Sequence, residues 1–184
     1  MTNISNSNSL LDVNLIIEKA KVKESSKVAD MGCGMHGYFS FPIAKIIGKH
    51  GHIYAIDVLK NALENIQKIA AQDNVSNIKT VWSNLEVFKG TDIASSSLDA
   101  CLMINILHQS QKRVDIIREA TRLLKKDGYL TIIEWSAIAA PLGPASANKV
   151  KADSLKKALD KLGYQLEEEF KPGPYHYGIR FRKL

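Results

Sequence analysis

VADMGCGMHGYFSFPIA, residues 28–44, decides how the rest of the chain is read. An apolar run closes on Asp30, and Gly32, Gly34 and Gly37 follow before an aromatic and aliphatic run begins. Glycine serves where the backbone takes positive φ or where a ligand approaches the main chain closely. Such freedom between two apolar elements poses one question: which ligand does the loop hold?

The surrounding pattern supplies the frame. KVADM (27–31), HIYAID (52–57), NIKTVW (77–82), SLDACLMINIL (97–107) and YLTIIEW (129–135) read as strands. The fourth is almost wholly apolar, as a strand buried on both faces would be. Between and around them, SLLDVNLIIEKA (9–20), YFSFPIAKIIG (38–48), LKNALENIQKIAAQ (59–72), QKRVDIIREATRLL (111–124) and ADSLKKALDKLG (152–163) carry helical spacing. Ser9 is the expected cap of the first helix, with Asp12 three residues on. Pro42 fits only the first turn of the second. YQLEEEF (164–170) and YHYGIRF (175–181) alternate as strands across the turn signal KPGP. Alternating strands and helices predict a doubly wound α/β sheet, mainly parallel, with helices on both faces and a C-terminal hairpin. Ligands of such sheets lie beyond the carboxyl ends of the strands, at the switch point, where residues 32–37 arrive.

Composition sets bounds. At 184 residues, with 45% hydrophobic and 24% charged residues, the chain reads as one globular domain over 9–184 after a polar tail at 1–8. That tail resembles no signal or transit peptide, no run is long enough to span a membrane, and a cytoplasmic setting is expected. Cys33 and Cys101 sit in apolar settings without metal-ligand spacing, so neither a disulfide framework nor a metal is expected. The formal net charge is +6, and residues 145–184 hold nine Lys and Arg against five Asp and Glu. Solvated helix faces account for this, and so would an acidic partner such as RNA.

As a bare pattern, Gly32-x-Gly34-x-x-Gly37 with Asp57 twenty residues later is the dinucleotide fingerprint. Asp30 opposes that reading, because a carboxylate two residues before the first glycine suits an ammonium better than a pyrophosphate. A nicotinamide-binding or non-catalytic protein therefore stands as an alternative.

Asp30-x-Gly32-Cys33-Gly34, AIDV (55–58) and LKKDGYLTIIEW (124–135), in this order, resemble the class I S-adenosylmethionine-dependent methyltransferases over nearly the whole chain. The resemblance implies a seven-stranded sheet whose last strand is inserted antiparallel. It implies that Gly32, Cys33, Gly34 and Gly37 form the loop at the cofactor's methionine part. Asp30 would hold the amino group, Asp57 both ribose hydroxyls, and Val58 the adenine face. Asn84 and Leu85, within WSNLE (82–86), would meet the adenine edge, Asn84 standing where the family commonly has Asp. Asn105 would face the methionine end and the acceptor. The loop is one residue longer than the family's G-x-G-x-G, at Met35–His36.

Methyl transfer from a sulfonium needs alignment and exclusion of water more than it needs a base. Candidates to touch an acceptor are Asn105 and His108 first, then His36, Glu134 and Tyr175–His176–Tyr177. His176 reads as a surface strand residue, and Trp82 and Trp135 as core. The segment INILHQ (104–109) lacks Asn-Pro-Pro-Tyr/Phe and is more like the branch acting on small molecules; an RNA acceptor is the alternative.

Overall fold

The computed structural model describes residues 10–141 and 143–184. The tail at 1–8 and the cap at Ser9 lie outside the described residues. Helix α1 spans Val13–Lys19, and its cap is Asp12, which accepts from the Leu15 N–H at 3.0 Å. Next come β1 (Lys27–Met31), α2 (Ser40–Ile47), β2 (His52–Asp57), α3 (Lys60–Gln72) and β3 (Ile78–Trp82). They are followed by β4 (Leu98–Ile104), α4 (Arg113–Leu123), β5 (Leu124–Trp135), α5 (Ala152–Lys161), β6 (Tyr164–Gly173) and β7 (His176–Lys183).

The seven strands pair in the order β3-β2-β1-β4-β5-β7-β6. Strands β1 to β5 are parallel, whereas β7 enters antiparallel between β5 and β6. The switch point lies between β1 and β4. Their residues face apolar layers on both sides, which explains the unbroken apolar runs. One layer joins Met31, Cys101, Met103 and Ile132 to Ile116 and Ile117 of α4 and Leu155 and Leu159 of α5. The other joins Val28, Ala100, Leu102 and Ile133 to Ile16 of α1 and Ile43 and Ile47 of α2.

Topology has one consequence for the crest formed by the carboxyl ends of the parallel strands. Because β7 runs the other way, its first residue reaches that crest, and His176 pairs with Trp135, the last residue of β5.

Three expectations change. Strand β5 begins at Leu124, so KKDG is absorbed into a bulged strand start in which Asp127 takes a φ of 62°. There Lys183 Nζ donates to the Thr121 and Leu124 carbonyls, which satisfies the end of α4 without a glycine cap. Trp82 is not core: it is 56% exposed, and its indole N–H donates to the Val58 carbonyl at 2.9 Å. His176 is not on the surface but 2% exposed, because β7 lies between β5 and β6 and the ring packs on Trp135 and against Asn105.

The connection from β3 to β4 is tied down from α4. Glu119, fully buried, accepts from the N–H groups of Lys89 (2.8 Å) and Thr91 (3.1 Å) and from Arg122 Nη2 (2.7 Å). Arg122 in turn donates to the Thr91 and Ile93 carbonyls. Glu119→Ala would leave the Arg122 charge without its carboxylate and the Lys89 and Thr91 N–H groups unpaired. Urea unfolding should show a loss of about 3–5 kcal/mol, with Glu119→Gln losing less.

Candidate functional site

The three glycines serve different ends. Gly32 (φ 79°) donates its N–H to the Ile56 carbonyl at 2.8 Å, and a Cβ there would stand 2.4 Å from Ile106 Cγ2. Gly34 (φ 67°) has nothing within 4 Å of a would-be Cβ, so its backbone is open to a ligand. Gly37 packs on Phe41 and Ile66. The additional loop residue is accommodated where Asn65 Nδ2 donates to the Met35 carbonyl at 2.7 Å. His36 is exposed there.

Asp57 joins the loop to the next helix. Its Oδ2 accepts the Gly34 N–H at 2.9 Å and its Oδ1 the Leu59 N–H at 3.0 Å, at the start of α3. Each oxygen of Asp57 keeps further acceptor capacity.

Asp30 is the most constrained group. It is 2% exposed, and Ser40 Oγ donates to its Oδ2 at 2.7 Å. No lysine or arginine pairs with it among the described residues. Burial pushes its pKa up to about 6; the Ser40 bond opposes the rise and the Asp57 charge adds to it. Sequence reasoning missed Ser40, ten residues away and without a motif; only the fold of α2 over β1 brings it in. Cys33 is buried among Ala55, Leu63 and Ile66, and burial raises its thiol pKa, so it is a packing residue and not a thiolate.

On the outer side of the crest, Val58 (53% exposed) lies beside Trp82, with Lys60 Nζ 5.5 Å from the indole centroid. Asn84 is exposed and its Oδ1 accepts from the Glu86 N–H at 3.0 Å, while Leu85 packs on the α4-side layer.

Toward β5, Asn105 takes a φ of 56°, and its N–H reaches the Ile133 carbonyl at 2.9 Å. Its Nδ2 lies 3.1 Å from His176 Nε2. His108 stands on a 3₁₀ turn, Leu107–Gln109, and its Nδ1 is 2.9 Å from Glu134 Oε2. Glu134 is fully buried, and its Oε1 also accepts the N–H groups of Leu107 (2.7 Å) and His108 (3.3 Å). Neither Asn105 nor His108 caps α4. Trp135 and Tyr177, neighbours of Glu134 along β5 and across the sheet, line a cavity of about 440 Å³ with Ser136, Lys149 and Val150. Tyr177 donates its hydroxyl to the Val150 carbonyl at 2.7 Å. The structure thus gathers Asp30, Gly32, Gly34, Asp57, Asn105 and His108 at one crest.

The family described as "Methyltransferase domain" matches residues 22–171. The sterol 24-C-methyltransferase of Debaryomyces hansenii is 22% identical over 84% of this chain and 44% of its own length. The chain spans about half the length of the curated relatives it matches. An S-adenosylmethionine-dependent methyltransferase from Aquifex aeolicus superposes with a TM-score of 0.85, at 21% identity, over 95% of this chain and 91% of that one. The [4+2]-cyclase SpnF superposes with a TM-score of 0.77, at 16% identity, over 93% and 79%. The chain belongs to the methyltransferase-domain family and has the class I S-adenosylmethionine-dependent fold.

The glycine geometry separates two substitutions. Gly32→Ala meets both an unfavourable φ and Ile106 and should cost about 2–4 kcal/mol in chemical unfolding. Gly34→Ala meets only the φ and should cost about 1 kcal/mol.

Proposed function

We propose that this member of the S-adenosylmethionine-dependent methyltransferases moves the cofactor's methyl group to a small-molecule acceptor at the crest, with residues 9–184 acting as one catalytic domain. The cofactor, when bound, supplies a methyl group on a positively charged sulfur, open to in-line displacement. The chain's own part is binding, alignment and proton handling.

The carrying observation is Asp30, a buried carboxylate with a hydroxyl and no cation beside it. Such a group favours an incoming ammonium. Asp30 takes the amino group, and the open backbone at Gly34 admits the methionine part. Asp57, already fixed by two N–H groups, keeps acceptor capacity for the ribose hydroxyls. Val58 offers an apolar face to adenine, with Asn84 and Leu85 at its edge.

Glu134 holds His108 by Nδ1, so in the neutral ring Nε2 carries the lone pair. His108 takes the proton of an O–H, N–H or acidic C–H acceptor, and Glu134 fixes its orientation. Asn105 lies between the two halves of the crest.

Two observations support a small acceptor. A cavity of about 440 Å³ lies beside Trp135 and Tyr177, within the range for small-molecule sites. Part of the basic C-terminal stretch is engaged within the protein. Arg180 pairs with Glu168, Arg182 with Asp127 and Glu167, and Lys156 with Asp153 and Glu169. Lys149 and Lys183 donate to backbone carbonyls. That engagement reduces the charge free to track a phosphate backbone. Both cysteines are free and buried, in keeping with a cytoplasmic enzyme. No helix among the described residues is long and apolar enough to cross a membrane.

Incubation with methyl-labelled S-adenosylmethionine and either a small-molecule extract or total RNA tests the acceptor class. Label should enter the low-mass fraction; label in RNA alone would contradict the reading. In the donor site, Asp57→Ala should weaken cofactor binding by about 1–3 kcal/mol in calorimetry. Asp30 must be ionised to hold an ammonium, and its pKa near 6 means it is increasingly protonated below that pH. Affinity for S-adenosylhomocysteine should therefore fall by about tenfold per pH unit below pH 6, and Asp30→Asn should flatten that dependence.

A further inference from the structure

His176 is a buried histidine for which the methyl-transfer reading gives no task. It arrives at the crest only because β7 runs antiparallel, and it pairs with Trp135 in the sheet. Its ring centroid lies 4.1 Å from that of Trp135, with 38° between the planes. Burial pushes its pKa below the ordinary histidine range, with the Glu134 charge opposing. A neutral ring can accept at Nε2, and the atom facing Nε2 at 3.1 Å is Asn105 Nδ2.

Asn105 is thus held at several points. Its backbone is left-handed, its N–H is bonded to Ile133, and one end of its amide is held by His176. The other end, Oδ1, is buried and has no partner among the described residues. An unpaired buried carbonyl carries a desolvation cost that an arriving donor removes. Strand β4, which delivers Asn105, pairs directly with β1, which delivers Asp30, and Asp30 is in register with Leu102. Two buried oxygen acceptors therefore stand at the ends of adjacent strands, one charged and one neutral. A primary ammonium carries three N–H donors and can satisfy both.

We infer that His176 is a positioning residue, holding the Asn105 amide so that its free oxygen accepts a hydrogen bond from the ammonium of the bound cofactor. This rests on the crest binding S-adenosylmethionine. The hairpin that completes the sheet thereby also completes the cofactor site.

The test is a double-mutant cycle on S-adenosylhomocysteine affinity, read by calorimetry. His176→Phe keeps a ring against Trp135 but cannot accept a hydrogen bond. His176→Phe and Asn105→Ala should each weaken binding about tenfold. The double variant should bind no more weakly than Asn105→Ala alone. His176→Gln, whose amide can meet Asn105, should recover most of the loss, and it carries the test if His176→Phe does not fold. Losses that multiply in the double variant would mean that His176 acts through packing alone and would overturn the inference. So would a folded His176→Phe or an Asn105→Ala with wild-type affinity. Failure of the unaltered protein to bind would instead strike the reading of the crest itself, a distinguishable result.

Discussion

A carboxylate buried at the end of β1 and partnered by Ser40, with no cation paired to it among the described residues, is an unfinished interaction. Asp30 is placed there by the fold: β1 is central, flanked by β2 and β4, and α2 covers it. Burial raises its pKa because water is removed and no protein cation replaces it. The neighbouring arrangement answers that deficit with space. Gly34 keeps the backbone open, Asp57 fixes the loop in place, and Asn105 contributes an acceptor oxygen with no partner among the described residues. Gly34 and Asn105 arrive at the switch point between β1 and β4, and Asp57 ends β2 beside it, where a ligand can enter.

Much of this was legible in the chain itself. The strand and helix order, the antiparallel last strand and the glycine loop follow from periodicity, turn residues and the resemblance their spacing carries. The errors share a cause. His176 reads as a surface residue because a period-two pattern states which face a side chain takes, not what covers that face. Trp82 reads as core because tryptophan usually is, yet it ends the edge strand β3 and stands exposed. Ser40 and the Asn105–His176 contact, 71 residues apart, are tertiary facts with no local signal. The extra loop residue was visible as a length; its accommodation by Asn65 was not.

Fold and chemistry are separate matters in this architecture. A [4+2]-cyclase shares the fold with a TM-score of 0.77, and a sterol methyltransferase shares detectable sequence. Under the proposed function, the acceptor is met on the β5 side, by His108, Glu134 and the cavity beside Trp135. The proposed donor half rests on backbone geometry and two carboxylates, which is why it can be read first. The proposed acceptor half depends on side chains from β4, β5, β7 and the connection after β5, gathered only by folding.

One measurement reaches the centre of this account: parallel calorimetric titration of the unaltered protein with S-adenosylmethionine, S-adenosylhomocysteine and NAD. The account predicts binding of the first two, at affinities of about micromolar, and none of the third. Binding of NAD alone, or of none of the three, would contradict it.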